Sequence, residues 1–378
     1  MILQYNFPTT VRFGAGASEE LADYLVKQGL RRPLVVTDPT VAELPFFRKM
    51  LAGLDAKGVG AVPFHHIHRN PVKSDVYRGT EAFDDGRCDA VVGIGGGAAM
   101  DVARAIVLRV NHREDLFVYD DLIGGDVHVT NDVPHFITIP TTAGTGSEVG
   151  RSAIIADDET HRKRILFSPK LLARIVFADP LLTMDLPPAV TAATGMDAFT
   201  HNIEAYLAKM SHPMCEGIAL EGIALIGRAI GRAVTAPDLE SRSHMLIASL
   251  MGAVAFQKGL GVVHSLAHPL SSLLDTHHGL ANAVNLPYGM RFNIAGCEEK
   301  FRQIARRLDL AQEDGEGVVQ HLFELNQRIG IPTQLSAIGV REEHLDTLAD
   351  LATADFAHPN NPKPVHRADF RRLYAEAL

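Results

Sequence analysis

The apolar residues of this chain change rhythm near its middle. In the first half, short apolar runs alternate with stretches of helical period. Leu34-Val35-Val36-Thr37-Asp38 predicts a short buried strand ending in a turn. Asp89 to Ile94 predicts a second strand and Phe136 to Pro140 a third. Ser18 to Gly29 and Met100 to Val110 carry a helical pattern, with Ser18 as the expected N-cap and Gly29 as the stop. Alternating strands and helices imply a parallel sheet covered on both faces, with ligands beyond the carboxyl ends of its strands. After Leu186-Pro187-Pro188 no strand pattern recurs. Ala189 to Lys209, Met214 to Val234, Ser241 to Lys258 and Lys300 to Leu308 are helical by period, and His358 to Pro364 reads as a loop before a last short helix. The expected organisation is an α/β domain over residues 1–183 and an all-α domain over 184–378.

Composition changes this picture in one respect. The 378 residues are 46% hydrophobic and 21% charged, ordinary for a globular protein with a sizeable core. A formal charge of −9 provides no basic field for nucleic acid or an anionic membrane. Cys88, Cys215 and Cys297 are odd in number and far apart, which suggests neither a disulfide framework nor a thiolate cluster. Met1 to Tyr5 lacks the basic start of a signal peptide, and no apolar run reaches the roughly 18 residues of a spanning helix. A reduced, cytoplasmic setting is therefore expected. The eighteen histidines are the compositional hint of metal chemistry.

Asp197 and His201 stand at i and i+4 in a segment that reads as buried helix, and His264 and His268 repeat that spacing. His278 follows in the expected loop ahead of Gly279. One carboxylate and three imidazoles suit zinc or ferrous iron; the alternative is a set of separate, hydrogen-bonded core residues. His65-His66-Ile67-His68 has neither a carboxylate nor helical spacing beside it and reads as a surface or cofactor-adjacent loop. In the first half, Gly95-Gly96-Gly97 links a strand to a helix, where the free N–H groups of the first turn suit a pyrophosphate. Thr141 to Glu148 follows another strand, and its small hydroxyl residues suit phosphate, ribose and nicotinamide-amide contacts. Either loop alone could be a plain turn. Asp38 ends a strand where a carboxylate could bind a ribose diol and repel a 2′-phosphate, favouring NAD over NADP; a turn or N-cap before Pro39 is the other reading.

Three segments together carry a resemblance: Gly195 to Tyr206, Gly261 to Leu270, and His278-Gly279-Leu280-Ala281-Asn282. They resemble the signatures of the iron-containing, or group III, alcohol dehydrogenase family, and the likeness runs from Phe13-Gly14 to Asn361-Pro362. It implies a Rossmann-like sheet domain followed by a helical domain, the fold shared with dehydroquinate synthase. It implies metal ligands at Asp197, His201, His264 and His278, holding ferrous iron, with zinc as the alternative. His268 then falls beside the metal, in a proton relay. Nucleotide contacts carry over to Asp38, Gly95, Gly96, Gly97, Asp101, Thr141, Thr142, Thr145 and Lys163. The implied activity is NAD-dependent alcohol oxidation and aldehyde reduction by a homodimer or higher homo-oligomer.

Two positions depart from the family pattern. Ala98 stands where the glycine loop usually continues with serine, removing one hydroxyl contact to a pyrophosphate. Gly150-Arg151 replaces a threonine followed by a small or polar residue at a position that faces the substrate in relatives. A guanidinium suits a carboxylate, phosphonate or sulfonate, and Phe256 to Gly261 is similar to family members acting on 4-hydroxybutyrate and succinate semialdehyde. The alternative for Arg151 is an ion pair with Glu148 or Asp157. Rival functions are a polyol dehydrogenase, a maleylacetate reductase, a lyase of the dehydroquinate synthase type, and a non-catalytic nucleotide-binding oligomer.

Overall fold

The structure, a computed structural model, describes residue 7 and residues 9–378; the signal-peptide reading of Met1 to Tyr5 lies outside them. The chain forms two compact units. One comprises 7–142 and 146–183. The other comprises Met184–Leu378, and the short segment Ala143–Thr145 groups with it.

The first unit is built on six parallel strands: β1 (Thr10–Phe13), β2 (Pro33–Val36), β3 (Val62–Phe64), β4 (Ala90–Gly95), β5 (His135–Pro140) and β8 (Ile175–Ala178). Their order is β1-β8-β5-β4-β2-β3. A separate antiparallel hairpin joins β6 (Ser152–Ala156) to β7 (Lys163–Phe167). Alternate side chains of the central strands enter opposite cores, as the pleat requires. Leu34, Val36, Val91 and Phe136 pack beneath α4 (Lys73–Asp85) and α5 (Gly97–Asn111). Val35, Val92, Ile94 and Ile137 pack beneath α1 (Leu21–Gln28) and α3 (Pro45–Ala56). A one-turn helix, α2 (Pro39–Ala42), follows β2. The chain leaves β2 toward β3 and leaves β4 toward β5 on the opposite side, so the topological switch falls between the carboxyl ends of β2 and β4.

Ser18 is not an N-cap. It lies in a 3-10 turn (Ala17–Glu20), and its N–H and hydroxyl both donate to Asp179, at 3.2 and 2.7 Å. The long-range carboxylate outcompetes the local helix start. Gly29 does close α1, in the left-handed region at φ 74°.

The second unit is helical: α6 (Pro188–Leu207), α7 (Pro213–Thr235), α8 (Leu239–Ala255), α9 (Val262–Leu274), α10 (His278–Asn293), α11 (Glu298–Arg307), α12 (Gly315–Arg328), α13 (Leu345–Thr353) and α14 (Arg367–Ala377). No strand occurs among its described residues. Every residue of α6 from Thr191 onward is buried, against α7, α8 and α10. α9 and α10 each contain an interior proline, Pro269 and Pro287. A proline cannot donate to the carbonyl four residues back. In α10 that carbonyl, Ala283, accepts instead from Asn326 Nδ2 at 2.7 Å. The fold thus replaces a lost backbone bond with a side chain from α12. No single helix among the described residues is long and apolar enough to cross a membrane.

Candidate active site

The central helix α6 carries Asp197, His201 and Glu204 at spacings of four and three, on one buried face. Burying these groups is costly unless each is satisfied. Glu204 accepts from the N–H groups of Gly261 and Val263, at 3.0 and 2.7 Å, and lies 2.6 Å from His264 Nδ1. It thereby ties the N-terminus of α9 to α6 and turns His264 Nε2 inward. Burial raises the Glu204 carboxyl to about 7, against the pull of those N–H donors.

His278 is not in a loop. It is the first residue of α10, and His277 is the N-cap, its Nδ1 accepting from Leu280 N–H at 3.4 Å. Gly279 allows this placement. A Cβ there would lie 2.3 Å from the Ala193 carbonyl oxygen and 3.2 Å from Asp197 Cβ. Only a bare backbone lets α10 begin beside α6.

Ligand atoms of Asp197, His201 and His264 lie within 4.8 Å of one another, all buried. His278 Nε2 is 3.5 Å from Asp197 Oδ1. Asn282 Nδ2, one turn further along α10, donates to Asp197 Oδ1 at 2.7 Å. The same nitrogen lies 3.3 Å from His264 Nε2 and 3.1 Å from His278 Nε2. Three electron-pair donors thus converge on one point. Burial drives the pKa of both His264 and His278 well below the usual imidazole value, so both are neutral and keep a lone pair. Burial would raise Asp197, but the charge that the neighbouring imidazoles take on in the acid range and the Asn282 amide outweigh it and hold the carboxyl down to about 2. An ionised carboxylate with neutral imidazoles, one of them oriented by a second carboxylate, is a donor set that suits iron or zinc. The residues fit a divalent metal.

His268 has a different partner. It shares α9 with His264, yet its Nδ1 lies 2.7 Å from Asp355 Oδ2. Its ring stacks on His278 and on Phe356, with centroids 5.3 Å away in each case. The i, i+4 spacing put both histidines on one helix face, and two carboxylates pull them apart.

In the first unit, the ends of β2, β4 and β5 meet. A Cβ on Gly95, which adopts φ 146°, would lie 3.3 Å from Asp38 Oδ2. A Cβ on Gly96 would lie 3.3 Å from Thr142 Oγ1, and Thr141 N–H donates to the Gly95 carbonyl at 3.0 Å. Asp38, Gly95, Gly96, Gly97, Thr141 and Thr142 therefore surround the switch point, with the N-terminus of α5 at its centre. Asp38 is also an N-cap, its Oδ1 accepting from the N–H groups of Thr40 and Val41, both at 2.9 Å. Asp101 is turned elsewhere, to Ser147 Oγ at 3.0 Å and Ile154 N–H at 3.1 Å. Thr145 falls in the segment that groups with the helices, and Lys163 opens β7.

Arg151 forms no ion pair with Glu148, Asp157 or any other described residue; its guanidinium lies over the Phe167 ring, 5.4 Å from the centroid. The His65–His68 tract does have a carboxylate close by, since His68 Nδ1 is 2.8 Å from buried Asp75. Asp75 also accepts from Val72 N–H and Arg78, so it anchors the start of α4.

Glu204, Asn282 and Asp355 did not stand out in the sequence as site residues. The 197/201/204 spacing was a usable signal for Glu204, and the 278/282 spacing for Asn282. Asp355 lies 87 residues from its partner and gave none.

Residues 8–180 match the family description "Iron-containing alcohol dehydrogenase", and residues 191–378 match "Fe-containing alcohol dehydrogenase family, C-terminal". The chain belongs to the iron-containing alcohol dehydrogenase family. Among its relatives is a 4-hydroxybutyrate dehydrogenase of Cupriavidus necator, 36% identical over 380 residues and covering 98% of each chain. A crystal structure of a 1,3-propanediol oxidoreductase superposes with a TM-score of 0.95 at 32% identity, covering all of both chains. That of a sulfoacetaldehyde reductase from Bifidobacterium kashiwanohense, in complex with NAD+, gives 0.89 at 26% identity, covering 100% of this chain and 99% of that one. In family terms, the chain is an oxidoreductase of the alcohol dehydrogenase type, a parallel-sheet α/β unit followed by a helical one.

Proposed function

We propose that this protein is a metal- and NAD-dependent dehydrogenase for a small primary alcohol bearing an acidic group, of the 4-hydroxybutyrate/succinate semialdehyde kind. The cluster of Asp197, His201 and His264, with His278 Nε2 3.5 Å from Asp197 Oδ1, carries the reading. These four residues would hold ferrous iron or zinc, whose Lewis acidity lowers the pKa of a bound alcohol. NAD would supply the hydride acceptor, and the N-terminus of α5 and the Thr141-Thr142 turn suit its phosphates. The Asp38 carboxylate at the end of β2 disfavours a 2′-phosphate, which supports NAD over NADP. Glu204 orients His264, and His268 stands outside the ligand set, placed to move a proton. The choice of an acidic substrate rests on unpaired Arg151 and on the 4-hydroxybutyrate dehydrogenase relative.

The test is turnover of iron- or zinc-loaded protein with NAD or NADP across 4-hydroxybutyrate, 1,3-propanediol, glycerol and simple alcohols. The expected result is highest kcat/KM with NAD and the hydroxy acid. Preference for a neutral diol would overturn the substrate class. Substitution His264→Ala should remove both bound metal and turnover; full metal content in that variant would sink the ligand assignment.

A further inference from the structure

We propose that Asn282 is a positioning residue for the metal centre: its side-chain amide holds the Asp197 carboxylate in place beside the imidazole ligands and so sets how tightly a divalent ion is retained. The proposal rests on the metal-dependent reading above, and its geometry lies wholly within the helical unit.

Asn282 stands one turn after His278 on α10, so the two side chains leave the same face of the helix. That face meets α6, because Gly279 leaves room for the Ala193 carbonyl. Asn282 is fully buried there. Its Nδ2 is the atom that joins three helices. It donates to Asp197 Oδ1 of α6 at 2.7 Å, and it lies 3.3 Å from His264 Nε2 of α9 and 3.1 Å from His278 Nε2 of α10. An amide nitrogen carries two hydrogens, so it cannot serve all three of these atoms at once. One of them always keeps an electron pair for another partner, as a cation site needs. At the other end of the amide, Oδ1 is buried and no described residue donates to it. A buried carbonyl oxygen without a donor is costly, yet turning the amide over would press that oxygen against the Asp197 carboxylate. The ligand cluster therefore sets the orientation of the amide. His264 is consequently addressed at both nitrogens: Glu204 lies 2.6 Å from Nδ1, and Asn282 faces Nε2. Asn285, on the same helix, shows the contrast. It is as deeply buried, but its Nδ2 donates to the Ala281 carbonyl at 2.8 Å, within α10 itself.

Substitution Asn282→Leu keeps the bulk and removes the donor. Zinc affinity of the metal-stripped protein, read by competition with a chromophoric chelator, should fall about 10- to 100-fold. Zinc should also pass faster from the loaded variant to excess chelator. Asn282→Gln keeps the amide and should recover part of the affinity. In the cobalt-substituted protein, the visible absorption bands report the arrangement of the donor atoms, and they should shift in Asn282→Leu. Asn285→Leu alters the same helix without removing a donor to the ligands, and it should bind zinc within about twofold of wild type. Zinc affinity of Asn282→Leu within about twofold of wild type would overturn the proposal. An equal loss in Asn285→Leu would also overturn it, by making the effect one of helix packing. If Asn282→Leu does not fold, Asn282→Ala is held to the same measurements and the same limits. A wild type that retains zinc but oxidises no alcohol would refute the activity reading, and the zinc comparison would still decide the role of Asn282.

Discussion

Arg151 shows how much one side chain can decide. Its guanidinium rests on Phe167 without an ionic partner, whereas most arginines of this chain are paired. A delocalised cation on an aromatic face is held in place yet keeps its donors for a planar anion. Arg151→Ala should raise KM for an ω-hydroxy acid about tenfold or more and leave KM for a neutral diol within about twofold. Steady-state kinetics on the two substrates check this, and equal effects on both would remove Arg151 from the recognition of charge. The sequence showed the residue as a departure from the family pattern but not its freedom, because Glu148 and Asp157 stand within reach along the chain. The structure shows both turned away: Asp157 accepts from Thr160, and Glu148 is buried. The clustering of Asp197 with His201 was legible because a helix keeps a fixed period. Asp355 was not, since no local rule links a residue to one four helices further along the chain.

Elements were legible where their apolar rhythm was long. β2, β4, β5, α5 and the helices α6 to α8 follow it closely. The short edge strands β1 and β3 and the hairpin β6–β7 do not, because three to five residues of mixed apolar and polar character give too few repeats to separate strand from loop, whereas β2, equally short, stands out as an unbroken apolar run. The hairpin is held from outside by α5. Fully buried Arg104 donates to the carbonyls of Ser152 at 2.8 Å and Leu171 at 3.3 Å, to Ser147 Oγ at 2.9 Å and to the Ser147 carbonyl. Asp101, raised to about 6 by burial, reaches the same strand through Ile154 N–H. Replacing Arg104 by methionine would leave three carbonyls without that donor and Asp101 without its counter-ion, 3.5 Å away. The expected cost is about 3 kcal/mol, read by urea unfolding. A loss under about 1 kcal/mol would show that the hairpin is secured by its own pairing.

At the scale of the whole molecule, stability should depend on pH through Glu148. Burial raises its carboxyl to about 7, and its Oε1 has no hydrogen-bond partner. A carboxyl raised on folding stabilises the fold fully below its unfolded value of about 4.5, and that contribution is lost as pH rises through about 7. Glu148→Gln should therefore gain on wild type by up to about 3 kcal/mol between pH 5 and pH 8, measured by denaturant unfolding at both values. A difference independent of pH would mean that Glu148 is paired in solution. The two-part plan of the chain was legible from the loss of strand patterns after Leu186. That Ala143–Thr145 groups with the helices was not, because Thr141 to Glu148 reads as one continuous loop. The Glu204 clamp carries a consequence for maturation. It joins α6 to α9 through two backbone N–H groups and an imidazole, all supplied by the polypeptide. The geometry of the cluster is thus set by contacts within the polypeptide. A chelated sample is therefore expected to keep its helical fold and to take up iron or zinc again on addition, checked by circular dichroism and metal analysis; unfolding on chelation would refute this.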